Sequence, residues 1–253
     1  MKKIVLIATV FASITMAKAQ EFKQSLDGIE WVKIESRSEV VVKTHTSNEL
    51  LIQSEGSHRK PERAKGLKLV GDSGTDNTDV GFYVIKEGNN LIVKSLKKGN
   101  KGNATIYLPA TQNISVTTNG TSQANIRISG FQGEIEANAK LNGGIKITDV
   151  SGPITANSLN GGIDIAFSKV SQNSPITVYA TNGVLDISLP KDTPADLSLG
   201  TVNGEIYSNF ELSIPEKDGM RAIVSQKVKG SINNGGVQIQ LKTTNGNIYL
   251  RKE

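Results

Sequence analysis

Cysteine is absent from this 253-residue chain, histidine occurs twice, tryptophan once, and aromatic residues make up 5% of the whole. Without cysteine there is neither a disulfide framework nor a lipoprotein-type attachment site, and the compartment is left open, since a chain without thiols suits any of them. The two histidines, His45 and His58, precede the repeats described below and match neither a zinc site nor a Ser-His-Asp triad. Long apolar runs are equally scarce. Residues 4–16 form one, behind Lys2 and Lys3 and ahead of Ala17-Lys18-Ala19, which is the layout of a signal peptide with an A-x-A cleavage site. Such a run is short of the roughly 20 residues that a spanning helix needs, and no second run is long enough. The expectation is an exported, soluble product starting at Gln20, periplasmic or at the cell surface, with residues 1–19 removed. Charge imbalance also disappears on inspection: of the 29 basic residues, Lys2, Lys3 and Lys18 lie in the signal, leaving 26 against 24 acidic ones. Nucleic acid is therefore not an implied partner. Helical periodicity is missing outside the signal, and the apolar residues alternate with polar ones, so the class is all-β.

Glycine is abundant, at 25 residues, and it recurs in phase. Residues 133–147 read G-E-I-E-A-N-A-K-L-N-G-G-I-K-I, and residues 152–165 read G-P-I-T-A-N-S-L-N-G-G-I-D-I. Each copy is two short alternating runs separated by Asn-Gly-Gly, where the backbone can turn sharply. The same corner recurs at Asn119, Asn142-Gly143, Asn160-Gly161, Asn182-Gly183, Asn203-Gly204 and Asn245-Gly246, with a second corner between at Gly133, Gly152, Pro175 and Gly235. The first intervals average about 21 residues and the last, from Asn203 to Asn245, is twice that. Two strands and two corners per turn of about 21 residues predict a parallel β-solenoid, in which no unit buries its apolar face alone. Asn-Gly hairpins in an antiparallel meander would use the same dipeptide, but they do not require alternate corners to keep phase, as Asn160 and Asn182 do with Pro153 and Pro175. The open edge would be blunted by Arg251-Lys252-Glu253. The predicted domains are a β-rich region over residues 20–103, continuous with the solenoid and interrupted by a polar loop at 53–80, and the solenoid itself over 104–253.

Ile106-Tyr107-Leu108-Pro109 and Ile187-Ser188-Leu189-Pro190, each ahead of an alternating run, join the repeated Asn-Gly-x-Ile and the closing Thr244-Asn245-Gly246-Asn247-Ile248-Tyr249-Leu250. With Gly66-Leu67-Lys68 and Asp76-Asn77-Thr78 upstream, these motifs resemble the bacterial putative-adhesin family of β-strand-repeat proteins, a domain of unknown function common in Bacteroidota. The resemblance covers most of the mature chain. It implies a right-handed parallel β-solenoid outside the cytoplasm and no established catalytic residues.

Aligning rungs on the Asn-Gly corner sets Lys146, Asp164, Asp186, Tyr207 and Tyr249 in one outward column. Asp164 facing Asp186 is what a polysaccharide lyase or glycoside hydrolase on a β-helix, or a Ca²⁺ site, would use; a solvated face is the ordinary alternative, because two acids supply too few oxygens and no base stands in register on the next rung. Asp72, Asp76 and Asp79 could hold a cation or belong to a turn-rich loop that departs from the EF-hand spacing. The basic run from His58 to Lys68 could touch anionic lipid or polysaccharide, or be a solvated loop. Trp31 is expected as a core plug, and Asn138 with Asn157 as a stacked amide pair. The sequence points to a non-enzymatic binding or structural protein of the cell envelope with no cofactor, its partner a surface glycan or an envelope protein, against two alternatives: the glycan-cleaving enzyme and a periplasmic envelope-stress or signalling component.

Overall fold

Residues 135–139 show how the sequence makes its strands: Ile135, Ala137 and Ala139 are buried while Glu136 and Asn138 between them are half-buried on the other face. That period of two is the pleat of a strand with one face in a core. In the computed structural model, which describes residues 20–54, 61–96, 104–214, 216–217, 220–221 and 227–253, such strands build two ten-stranded sheets. One apolar core running from residue 26 to residue 250 lies between them. The expected signal segment and His58 lie outside the described residues.

The chain passes from one sheet to the other at each corner. In spatial order the parallel strands of the front sheet are Ala104–Pro109, Val40–His45, Ile126–Ser129, Ile145–Val150, Ile163–Phe167, Leu185–Leu189, Ile248–Lys252 and Ile206–Ser208. Those of the back sheet are Asn90–Ser95, Trp31–Ser36, Asn113–Thr118, Ile135–Asn142, Ile154–Asn160, Ile176–Asn182, Val237–Asn245 and Ala195–Asn203. Parallel pairing across the whole repeat excludes the meander. Within these two sheets antiparallel pairs are confined to the ends: Phe82–Glu87 on Asn90–Ser95, Glu49–Ser54 on Ala104–Pro109, Gln20–Ser25 on Glu49–Ser54, and Lys227–Ile232 on Ala195–Asn203.

Stack order departs from chain order at both ends. Trp31–Ser36 and Val40–His45, early in the chain, sit inside the strands ending at Ser95 and Pro109. The last two strands, Val237–Asn245 and Ile248–Lys252, sit inside those ending at Asn203 and Ser208. Two expectations are corrected by this. Arg251 and Lys252 do not blunt an open edge, because their strand has a partner on either side. The 42 residues from Asn203 to Asn245 are not two rungs but a detour: Phe210 buries its ring in the core, Lys227–Ile232 caps the back sheet, and the chain then returns to fill the slot it had left.

Close stacking, more than the turn alone, requires glycine at the corners. Gly161 and Gly246 have φ of +156° and +152°, but Gly143, Gly183 and Gly204 are not among the positive-φ glycines. What they share is close stacking: a Cβ would fall 2.2 Å from the Ala124 oxygen at Gly143, 2.3 Å from the Gly143 oxygen at Gly161, 2.1 Å from the Gly161 oxygen at Gly183 and 2.0 Å from the Gly246 oxygen at Gly204. Beside them the asparagines form an amide ladder, with Asn160 donating to Asn142 at 3.1 Å, Asn182 to Asn160 at 2.8 Å, Asn245 to Asn182 at 2.7 Å and Asn203 to Asn245 at 2.7 Å. Asn119 makes a longer corner outside this ladder, its amide bonded to the Ser36 carbonyl at 3.0 Å. Asn157 donates to Asn138 at 3.0 Å, the stacked pair read from the sequence. Trp31 is not a core plug: it faces outward from the back sheet, half-buried, beside the fully buried Val32.

Candidate functional site on the outer face of the front sheet

Inward isoleucines fix what points out. Ile145, Ile163, Leu185, Ile248 and Ile206 are in register facing the core, so their successors Lys146, Asp164, Asp186, Tyr249 and Tyr207 form an outward column. All five predicted neighbours are therefore brought together, but Tyr249 stands between Asp186 and Tyr207, because the closing strand is tucked inside. The two tyrosine rings stack with centroids 5.3 Å apart and planes 10° from parallel. Ile206–Ser208 is the last strand of the front sheet, so one face of Tyr207 meets Tyr249 and the other looks past the end of the stack; 48% of the residue is exposed.

Arg251 completes the group. Two residues beyond Tyr249, it shares that residue's face of the strand. Its Nε and one terminal nitrogen donate to the two Asp186 oxygens at 2.6 and 2.8 Å, and its guanidinium carbon lies 5.5 Å from the Tyr249 ring centre. The hydrogen bonds and charge of Asp186 push the Arg251 pKa up. Tyr207 donates its hydroxyl to Glu205, whose hydrogen bond and charge raise the phenol above its ordinary value, and Asn247 donates to the Tyr249 oxygen at 3.1 Å. No base stands in register on the next rung, where Tyr249 lies opposite Asp186, but Arg251 reaches across from two residues further on and forks Asp186, so Asp164 and Asp186, although in register, are not an equivalent pair. Sequence reasoning missed Arg251, Glu205 and Asn247. Period-two spacing from Tyr249 marks Arg251 as outward, but chain order put the wrong strand next to Asp186.

Toward the other end of the face, Gly144 and Gly162 leave a shallow groove of about 250 Å³ bordered by Asn125, Arg127, Lys146 and Asp164. Arg127 is held by Glu39 at 2.6 Å.

The cation-loop residues are not brought together. Asp76 is buried, and its carboxylate accepts from the Thr78 amide and hydroxyl and the Asp79 amide, each at 2.9 Å, and from the Gly81 amide at 3.1 Å. That use of the carboxylate closes a turn. Asp72 pairs with Arg37 instead. Among the described residues no three acid or histidine side chains gather as a metal would need. His45 bonds the Glu49 carbonyl through Nε2 at 2.7 Å, across the turn that joins its strand to Glu49–Ser54.

The model of the family described as Toastrack DUF4097 matches residues 101–251, more than half of the chain. The chain belongs to the Toastrack DUF4097 family. The match spans the repeat from the Ile-x-Leu-Pro motif to the closing strand, and with it the resemblance read from those motifs becomes a membership. No curated protein matches the chain significantly. Two solved structures are similar to it. One is a putative cell adhesion protein from Clostridium sporogenes ATCC 15579, 13% identical, with a TM-score of 0.42, covering 93% of this chain and 100% of its own. The other is a putative adhesin from Bacteroides fragilis NCTC 9343, 14% identical, with a TM-score of 0.30, covering 94% and 98%. Neither protein's name transfers to this Toastrack chain at such scores.

Proposed function

We propose that this protein is an exported, non-enzymatic binding protein of the cell envelope, and that it takes a glycan on the outer face of the front sheet through Tyr207, Tyr249, Asp186 and Arg251, with Asp164 on the same column. The observation that carries the reading is the stacked tyrosine pair with one ring face open at the end of the sheet. A flat aromatic surface takes the apolar face of a sugar ring, and the Asp186–Arg251 fork beside it offers acceptors and donors to hydroxyls. The same fork weighs against the glycan-cleaving alternative, which needs two carboxylates able to exchange protons. Export rests on the signal-like segment 1–19. The body 20–253 is taken as one domain, because strands from residues 31–45 lie within the same sheets as the repeat. The rung of about 21 residues is supported by register offsets such as Ile145 opposite Ile163 and Ile163 opposite Leu185, and a right-handed coil by the handedness of parallel crossovers.

Binding to a panel of immobilised neutral and uronic-acid glycans tests the proposal. Tyr207→Ala and Tyr249→Ala should each weaken the bound glycan about two- to tenfold, the worth of one aromatic contact, with the melting temperature of Tyr207→Ala lowered by no more than about 6 °C for the lost ring stacking. Turnover of any glycan that vanishes in Asp186→Asn or Asp164→Asn would replace this reading with the enzyme.

A further inference from the structure

Between the strands ending at Ser54 and starting at Phe82, the chain makes an excursion whose fixings and whose apolar residues are separate. Arg37 holds Asp72 by an ion pair. Gly74 lies so close over Tyr83 that a Cβ would come 2.8 Å from the ring, and Gly71 sits against Leu96. Asp76 ties the following turn with four hydrogen bonds. None of these contacts uses the side chains of Leu67, Leu69 or Val70, residues that are 62%, 37% and 70% exposed, and Leu69 is held through its carbonyl, which accepts from the Asp76 amide at 2.8 Å. Val70 opens the small hairpin Val70–Gly71 with Gly74–Thr75, so it is presented from an anchored base. Exposed apolar side chains on a fixed support cost solubility and return no packing. Around them stand exposed Arg63, Lys65 and Lys68, with Glu62 the one acid between residues 61 and 71.

We propose that residues 63–70 dock on an anionic lipid surface, Leu67, Leu69 and Val70 entering the headgroup boundary while Arg63, Lys65 and Lys68 meet the lipid charges. Interleaved cations and apolar side chains are what such a surface selects: each basic residue gains from the surface potential and each apolar one from leaving water. A soluble polyanion would be served by the cations without the apolar residues. The segment lies on a different part of the molecule from the tyrosine stack, so this inference stands or falls apart from the glycan reading.

Sedimentation with vesicles of phosphatidylglycerol and phosphatidylcholine, against vesicles of phosphatidylcholine alone, decides it. The full chain is compared with the full chain carrying Leu67→Ser and Val70→Ser, so that the apolar run at residues 4–16 is common to both. The wild type should bind the anionic vesicles, and the double variant about tenfold or more weakly, the least that one buried side chain of this size contributes. Lys65→Gln with Lys68→Gln should weaken anionic binding several-fold at low salt and leave the neutral vesicles unaffected. Equal sedimentation of wild type and double variant overturns the proposal, as does competition by a soluble acidic polysaccharide that is indifferent to the apolar substitutions. Val70→Trp supplies a readout independent of how the serine variants fold: its emission should shift to the blue on adding anionic vesicles, and an unmoved spectrum overturns the docking.

Discussion

Asn245 donates its Nδ2 to the Oδ1 of Asn182 at 2.7 Å across 63 residues of chain. Between them in sequence lies Asn203, which stands on the far side of Asn245 and donates to it at 2.7 Å. The ladder therefore runs Asn142, Asn160, Asn182, Asn245, Asn203, and it records the insertion of the closing rung as plainly as the sheets do. Each of Asn160, Asn182 and Asn245 uses one amide hydrogen to bond the rung before it and offers its oxygen to the rung after it.

Asn245→Ala should cost about 1–2 kcal/mol, because it breaks two ladder bonds at a worth of roughly 1 kcal/mol each, less for their exposure. Asn203→Ala, at the end of the ladder with one such bond, should cost about half as much. Urea unfolding of the two variants reads the difference; equal losses would show that the amides do not act as a chain.

The strands and corners were legible because the period-two pattern and the Asn-Gly dipeptides are local, and the inward columns of isoleucine follow from them directly. What the sequence concealed was which rung is next to which. Asn203 and Asn245 carry the same corner, and nothing local distinguishes a rung added at the end from one slipped inside. From that single ambiguity came the misplacing of Arg251, hence the missed fork on Asp186, and the reading of the interval from Asn203 to Asn245 as two turns. Trp31 was misread for a different reason: its size suggested the core, whereas the pleat, with Val32 buried beside it, puts it outside. Three acids close in sequence leave Asp76 open to either a cation or an ordinary turn; its burial among backbone amides, which no spacing reveals, decides for the turn.

The excursion of residues 61–80 should loosen in acid. Partial desolvation pushes the Asp72 carboxyl up, but the charge of Arg37 and the hydrogen bonds from Ser73 and Arg37 more than offset this, leaving its pKa below the ordinary 3.8. A carboxylate depressed on folding contributes its stabilisation above the unfolded value, near pH 4, and loses it as the pH falls through the folded one. Titration of the Asp72 side-chain carbon by NMR should give a value below 3.8 that returns to it in Arg37→Gln. An identical titration in both chains would mean that the pair does not hold in solution.

Gly161→Val tests the stacking itself. The substituted Cβ would lie 2.3 Å from the Gly143 oxygen and 2.8 Å from the Gly144 nitrogen, backbone atoms of the neighbouring rung that cannot swing aside. Relief requires the two corners to separate, and the bonds that hold them are inter-rung: Gly143 donates to the Asn160 carbonyl at 3.1 Å, Ile145 to Gly162 at 3.0 Å, Gly161 to Asn182 at 2.9 Å and Ile163 to Val184 at 2.9 Å. The expected cost is about 2–4 kcal/mol, that of overpacking plus strained pairing. The pattern of the damage matters more than its size. In a stack each rung supports the next, so amide exchange should quicken in Ile145–Val150 and in Leu185–Leu189, the strands on either side of Ile163–Phe167. Faster exchange confined to residues 154–167 would mean that the rungs are energetically independent, and that the parallel pairing contributes little to holding them together.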